Sequence, residues 1–177
     1  MGFGDMAAMV LRRKHGREIS REEALAIFQQ NQEDGLVLQP GNAQQPEFVC
    51  SCCGCCCGIF SIHKLLPHPI DFWTSNFYAE VATNLCERCG TCISRCQVDA
   101  VTLTGADGEA EINLSRCIGC GLCVPTCPSN ALQLRKKPSG MPMPKNEQEY
   151  LDVVMTNKIG AWEKARMFVK VFLRMRQ

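Results

Sequence analysis

An excess of charge of either sign is the first thing this chain lacks: 19 Lys and Arg stand against 18 Asp and Glu, a net charge of +1 over 177 residues. That balance gives no electrostatic footprint for a nucleic-acid backbone. Aromatic residues make up only 7 %, so no base-stacking surface is evident. No run of about twenty apolar residues occurs, so nothing reads as a bilayer-spanning helix. The opening stretch, Met1 to Arg13, has no long apolar core and no small-residue cleavage site, and does not read as an export signal. The usual patterns of substrate chemistry are missing too. There is no P-loop, no dinucleotide fingerprint and no evident Ser/His/Asp set.

What the chain has instead is cysteine, 14 in all. Eight of them form two runs of one pattern, C-x2-C-x2-C-x3-C: Cys86, Cys89, Cys92, Cys96, then Cys117, Cys120, Cys123, Cys127. Each cysteine of the second run lies 31 residues after its counterpart in the first. Three thiolates at two-residue gaps on a tight loop can reach three corners of one iron–sulfur cube, and the fourth cysteine of such a run ligates the other cluster. The expected ligand sets are therefore crossed. Cys86, Cys89, Cys92 and Cys127 hold one [4Fe–4S] cluster, and Cys117, Cys120, Cys123 and Cys96 hold the second. Zinc prefers two C-x2-4-C pairs or mixed Cys/His ligands, and a disulfide framework suits a secreted chain better.

On these residues the span from about Phe77 to Leu134 resembles a bacterial-type two-[4Fe–4S] ferredoxin domain. The second run keeps that family's closing proline, Cys127-Pro128, whereas Gln97 stands at the same place in the first. Proline fixes φ and removes an N–H. Gln97 restores a donor there, with an expected effect on hydrogen bonding near Cys96. Strands are expected at Asn76–Ala82, Val101–Thr104, Glu109–Asn113 and Leu132–Leu134. Asp107-Gly108 marks a hairpin turn, and short helical turns follow Cys96 and Cys127. Val98, Val101, Leu103, Ile112, Ile118, Leu122, Val124 and Leu132 are the expected dry wall around the clusters.

A second cysteine feature precedes this unit. Cys50-Ser-Cys52-Cys53-Gly-Cys55-Cys56-Cys57 places six thiols in eight residues, with Gly54 and Gly58 free to fold the backbone back. Soft thiolates select Fe–S clusters, zinc or Cu(I). An additional Fe–S cluster is the favoured occupant. Zinc, Cu(I) and a metal-free redox-active thiol patch are the alternatives, with no ligands singled out among Cys50, Cys52, Cys53, Cys55, Cys56 and Cys57. The segment Phe48 to Phe60 resembles a cysteine-dense motif that accompanies dicluster ferredoxin domains in anaerobe proteins. In those relatives the helical segment follows further upstream sequence with its own cysteines. The abrupt opening here is what a shortened member would show.

The expected organisation is α+β: a helical module (1–47), the cysteine-dense segment and linker (48–75), the ferredoxin domain (76–135), a linker (136–146) and a C-terminal helix (147–177). Helices are expected from Asp5 to Lys14 and after the capping box Ser20-Arg-Glu-Glu23, with a short strand at Leu36–Leu38. Packing on the cluster unit is favoured over a DNA-reading role for this module. His63 and His68 have no partner ligand at a recognised spacing and read as surface or hydrogen-bonded residues. Met155, Ile159, Trp162, Val169, Phe172 and Leu173 trace one face of the tail, with a basic complement. Self-packing, a protein partner or a peripheral membrane surface could cover that face.

Three functions fit. An electron carrier or relay subunit, serving redox partner proteins, leads. An enzyme component with its active centre at the 50–57 cysteines comes second, and a redox or metal sensor third. Oxygen-labile clusters and unpaired thiols place the expected setting in a reducing, anaerobic cytoplasm.

Overall fold

The computed structural model describes residues 1–71, 75–104, 107–138, 140 and 142–156. It is an α+β arrangement of short helices and three antiparallel strand pairs. Helix α1 spans Gly4–Arg12 and α2 spans Arg21–Glu33. The Ser20 half of the expected capping box is present: the Ser20 hydroxyl accepts the Glu23 N–H at 3.1 Å and starts α2, while the Glu23 carboxylate takes the Arg17 guanidinium. Gly35, with φ +83°, ends that helix in a left-handed turn. Strand β1 (Val37–Pro40) then pairs with β2 (Val49–Cys52), Val37 opposite Cys52. The cysteine-dense segment therefore begins as the second strand of a hairpin, which crosses the boundary expected at 47/48. Its loop residues run into helix α3, Gly58–Leu65.

The cluster-bearing unit is built from two further pairs. Strand β3 (Phe77–Val81) pairs with β6 (Leu132–Lys136), joining the start of the unit to its end. Between them β4 (Val101–Leu103) and β5 (Ala110–Ile112) form the hairpin that Asp107-Gly108 predicts. A short helix, α4 (Thr91–Arg95), lies inside the first cysteine loop, ahead of the turn expected after Cys96.

The 31-residue repeat is also a repeat of backbone shape. Left-handed residues fall at Arg88 and Gly119, at Gly90 and Gly121, and at Asp99 and Asn130, each pair 31 apart. At Gly119 the choice of glycine has a second cause. A Cβ there would lie 2.3 Å from the Phe77 carbonyl oxygen, so β3 presses directly on the second loop.

The core holds Val98, Val101, Leu122 and Leu132 as expected, joined by Ala79, Ala100, Ala110 and the cysteines 92, 117 and 123. Ile112, Ile118 and Val124 are half-buried against it. Leu103 keeps 37 % of its surface exposed while lining the cavity of the first cysteine set.

The N-terminal module docks on this unit through polar side chains. The Arg95 guanidinium donates to the Glu33 and Gln32 carbonyls at 2.9 and 2.7 Å, satisfying the last turn of α2. Arg116 reaches the carbonyls of Val98, Leu66, His63 and Lys64 at 3.2 to 3.5 Å and so binds the end of α3. Lys64 pairs with Asp99 at 3.6 Å. His63, expected at the surface or hydrogen-bonded, is buried, while His68 is exposed. Within the expected linker, 136–146, Pro144 and Lys145 meet the N-terminal module. The Gln44 and Gln45 N–H groups donate to the Pro144 and Lys145 carbonyls at 2.8 and 3.2 Å. Helix α5 covers Glu147–Thr156, with Asn146 accepting the Glu149 N–H at 2.9 Å. The rest of the expected tail helix, with most of its apolar and basic faces, lies outside the described residues.

Candidate metal centres

Cys86, Cys89, Cys92 and Cys127 line one cavity, closed on its other sides by Val81, Leu103, Ala110, Ala131 and Leu132. Three of the thiols come from the first run and the fourth from the second. Helix α4 turns Cys92 inward, where it is buried, and left-handed Arg88 and Gly90 curl the backbone around the rim. Hydrogen-bond donors are aimed at the sulfurs. The Ala110 N–H points at Cys86 Sγ at 3.5 Å, the Thr91 hydroxyl lies 3.4 Å from Cys89 Sγ, and the Ser129 hydroxyl lies 3.6 Å from Cys127 Sγ. These donors favour thiolate. The Thr91 hydroxyl, then the Thr91 N–H, hold Cys89 below the usual thiol range. At Cys127 burial pushes upward, but the Ser129 hydroxyl and the N–H groups of Ala131, Leu132 and Ser129 outweigh it. Cys92 is pushed up, chiefly by burial.

The other four cysteines also share a neighbourhood. Cys123 is pushed up to about 12, first by burial, then by the charges of Cys120, Cys117 and Cys96. Cys120 is raised by burial of its thiol and by Cys96 and Cys117, although the residue keeps exposed surface. The Ala100 N–H donates to Cys96 Sγ at 3.2 Å. Thus Cys96 of the first run sits with Cys117, Cys120 and Cys123, the mirror of Cys127 among the first three. In neither group do three sulfurs crowd within 4.8 Å of one another. Wide-set thiols with N–H and O–H donors behind them, beside an apolar wall, are a donor set that suits iron–sulfur clusters. Bringing anionic sulfur into such a site is offset by the metal, which deprotonates a coordinating thiol outright.

The 50–57 segment divides its six thiols. Cys53 Sγ lies 2.8 Å from Cys55 Sγ and 2.9 Å from Cys56 Sγ, with Cys55 and Cys56 3.9 Å apart. Cys53 Sγ is the atom shared by the two shortest contacts. Hydrogen bonds from Cys55 and Cys56 and from their N–H groups hold it down at about 6, while Cys56 is pushed up to about 12 by Cys53 and Cys55. Cys52 belongs to the other side of the loop. Burial, then Cys57 and Cys50, push it up to about 11. The turn between the trios is clamped by Gln97. The Gly54 N–H donates to Gln97 Oε1 at 2.7 Å, and Gln97 Nε2 donates to the Gly35 carbonyl at 3.0 Å. Gly54 has no room for a side chain, since a Cβ would sit 2.4 Å from the Gln97 carbonyl oxygen.

Sequence reasoning singled out the eight ferredoxin-type cysteines and the six-thiol segment. It missed Thr91, Ser129 and the two backbone donors, for which a hydroxyl two residues after a cysteine was the available signal. It also missed Arg95 and Arg116, whose partners lie 50 or more residues away in most of their contacts.

No curated protein matches the chain. Residues 85–131, about a quarter of its length, match the family model of the 4Fe-4S dicluster domain. With its dense run of further cysteines, this chain is an iron–sulfur protein carrying a 4Fe–4S ferredoxin-like domain, whose chemistry is electron transfer.

Proposed function

We propose that the chain is an electron carrier or relay subunit with two [4Fe–4S] clusters, held by Cys86, Cys89, Cys92 and Cys127 and by Cys117, Cys120, Cys123 and Cys96. The observation that carries this reading is the cavity in which Cys127 joins three cysteines of the other run. Each cluster, when bound, takes up and returns one electron. The chain's own residues do the rest. Val81, Leu103, Ala110, Ala131 and Leu132 limit water around the first set. Thr91, Ser129 and the N–H groups of Ala100 and Ala110 spread charge off the sulfurs, which sets the potential. The acceptor and donor are redox partner proteins, in a reducing, anaerobic cytoplasm. No helix among the described residues is long and apolar enough to cross a membrane, so membrane contact through the C-terminal tail would be peripheral.

Anaerobic iron counting together with single substitutions tests this. About eight irons per chain are expected. Cys96→Ala should damage the cluster built mainly from the second loop, and Cys89→Ala the other, as separated by Mössbauer spectroscopy. If Cys96→Ala spares that cluster and removes the first-loop one, the crossed assignment is wrong.

A second reading makes the chain a redox enzyme component with its active centre at the 50–57 thiols. The low-lying Cys53 thiol favours it. It requires turnover of a small molecule that collapses when Cys52 and Cys53 become serine while the dicluster iron stays.

A further inference from the structure

The spacing of sulfur atoms supplies an internal ruler. No three of the eight ferredoxin-type cysteines bring their sulfurs within 4.8 Å of one another. Among the described residues, Cys53, Cys55 and Cys56 alone bring three candidate ligand atoms within 4.8 Å of one another. Their edges of 2.8, 2.9 and 3.9 Å are far too tight for corners of a cube. One edge, Cys55–Cys56 at 3.9 Å, matches the roughly 3.8 Å that separates thiolates around one ion at a metal–sulfur distance of about 2.3 Å, and the other two are shorter. Two edges need open by only about 1 Å. We propose that Cys53, Cys55 and Cys56 form a mononuclear site for one soft, closed-shell cation, Zn2+ or Cu+. Cys50, Cys52 and Cys57 are not ligands of that ion.

The donor chemistry is consistent with this class. Three thiolates and no nitrogen or oxygen ligand select soft cations. Among the described residues, no fourth His, Cys, Asp or Glu atom joins the group. Cu+ is satisfied by three sulfurs, whereas Zn2+ would take an exogenous fourth ligand. The protein also prepares the site before any ion arrives. Gln97 pins the Gly54 amide between Cys53 and Cys55, and the Gln97 backbone fills the space beneath Gly54. Lys64 Nζ lies against the same glycine, offsetting the net negative charge of a tris-thiolate complex. Cys53 is already biased towards thiolate. This inference refines the chain's further-metal reading and does not depend on how the dicluster cysteines are assigned.

The test uses the full chain, purified anaerobically, with zinc, copper and iron measured on one sample. The trio is stripped with a chelator and titrated separately with Zn2+ and with Cu+. One equivalent of one of these ions should bind. Cys53→Ser, Cys55→Ser and Cys56→Ser should each weaken it at least tenfold, with the iron count unchanged. Loss of iron on these substitutions, with the dicluster spectrum intact, would overturn the proposal in favour of a third iron–sulfur cluster. Failure of both ions to bind would overturn it in favour of a bare thiol patch. Should a serine variant lose the dicluster spectrum as well, alkylation of wild type decides. Zn2+ or Cu+ should protect Cys53, Cys55 and Cys56; protection centred on Cys50, Cys52 and Cys57 refutes the assignment. The iron count reports the dicluster reading on its own.

Discussion

Gly119 and Gly121 permit a paired substitution in which one physical term is held fixed and another is varied. Both are left-handed, with φ +64° and +77°, so alanine costs about 1–2 kcal/mol at either site for its backbone conformation alone. The gain from a stiffer unfolded chain is also common to both. They differ in what a Cβ meets. At Gly121 it would touch Leu134 Cδ2 at 3.7 Å, an ordinary contact. At Gly119 it would lie 2.3 Å from the Phe77 oxygen, 2.6 Å from its carbonyl carbon and 2.7 Å from Ser75 Oγ. The two Phe77 atoms are backbone at the start of β3 and cannot swing aside, whereas the Ser75 hydroxyl can rotate. Restoring even 3.0 Å requires β3 to retreat by about 0.7 Å. The adjacent bond from the Lys137 N–H to the Asn76 carbonyl, now 2.8 Å, would stretch to about 3.5 Å, with a net loss of about 1 kcal/mol. Poorer β3–β6 packing adds a comparable amount. Gly119→Ala should therefore destabilise by about 3–4 kcal/mol. At about 4–8 °C per kcal/mol for a unit of this size, its melting temperature should fall at least twice as far as that of Gly121→Ala. The assay is anaerobic thermal denaturation at one scan rate, followed by visible absorbance and far-ultraviolet circular dichroism. Equal shifts for the two variants would refute the close approach of β3 to the second loop.

Further expectations are more local. Gln97→Leu removes the bonds to Gly54 and Gly35 and should cost about 2–3 kcal/mol; hydrogen exchange should quicken at the Gly54 amide. Arg116→Met leaves four carbonyls around the end of α3 without their cation and should cost about 2–4 kcal/mol, read from the denaturant midpoint. His63 is held below its ordinary value, first by burial, then by the Arg116 charge. Its unfolded form binds protons more readily, so its contribution is complete above about pH 6.5 and is lost as the pH falls below that value. Melting temperatures should consequently decline more steeply on acidification in wild type than in His63→Gln.

Much of this molecule is legible from local pattern. The period of 31 announces the doubled loop, the Ser20 box announces α2, and Asp107-Gly108 announces the β4–β5 hairpin. These signals are short-range, and the groups that cause them lie within a few residues. Gln97 shows the other case. Its departure from proline is visible in the sequence, and an effect near Cys96 was the natural expectation. Its side chain instead reaches 43 residues back to Gly54 and 62 residues back to Gly35. Nothing local encodes those partners. The division of the 50–57 thiols is equally invisible, because neighbours in the chain such as Cys52 and Cys53 fall in different groups while Cys55 and Cys56 share one. Leu103 shows a third case: its apolar character marks it for the cluster wall, which it lines, yet it keeps 37 % of its surface exposed.

Residues 95, 97 and 99 follow one another along the exit from the first loop, gripping α2, Gly54 and Lys64 respectively. Their counterparts 31 positions on are Thr126, Pro128 and Asn130, and Thr126 bonds inward to Leu122 and Cys123. At these three positions the first half of the repeat moors neighbouring segments, whereas the second turns inward at Thr126 and moors the end of α3 through Arg116. No clean seam exists at 75/76. A fragment cut there would strip the mooring side of every group it holds, so the smallest separable piece of this protein is larger than its sequence family suggests.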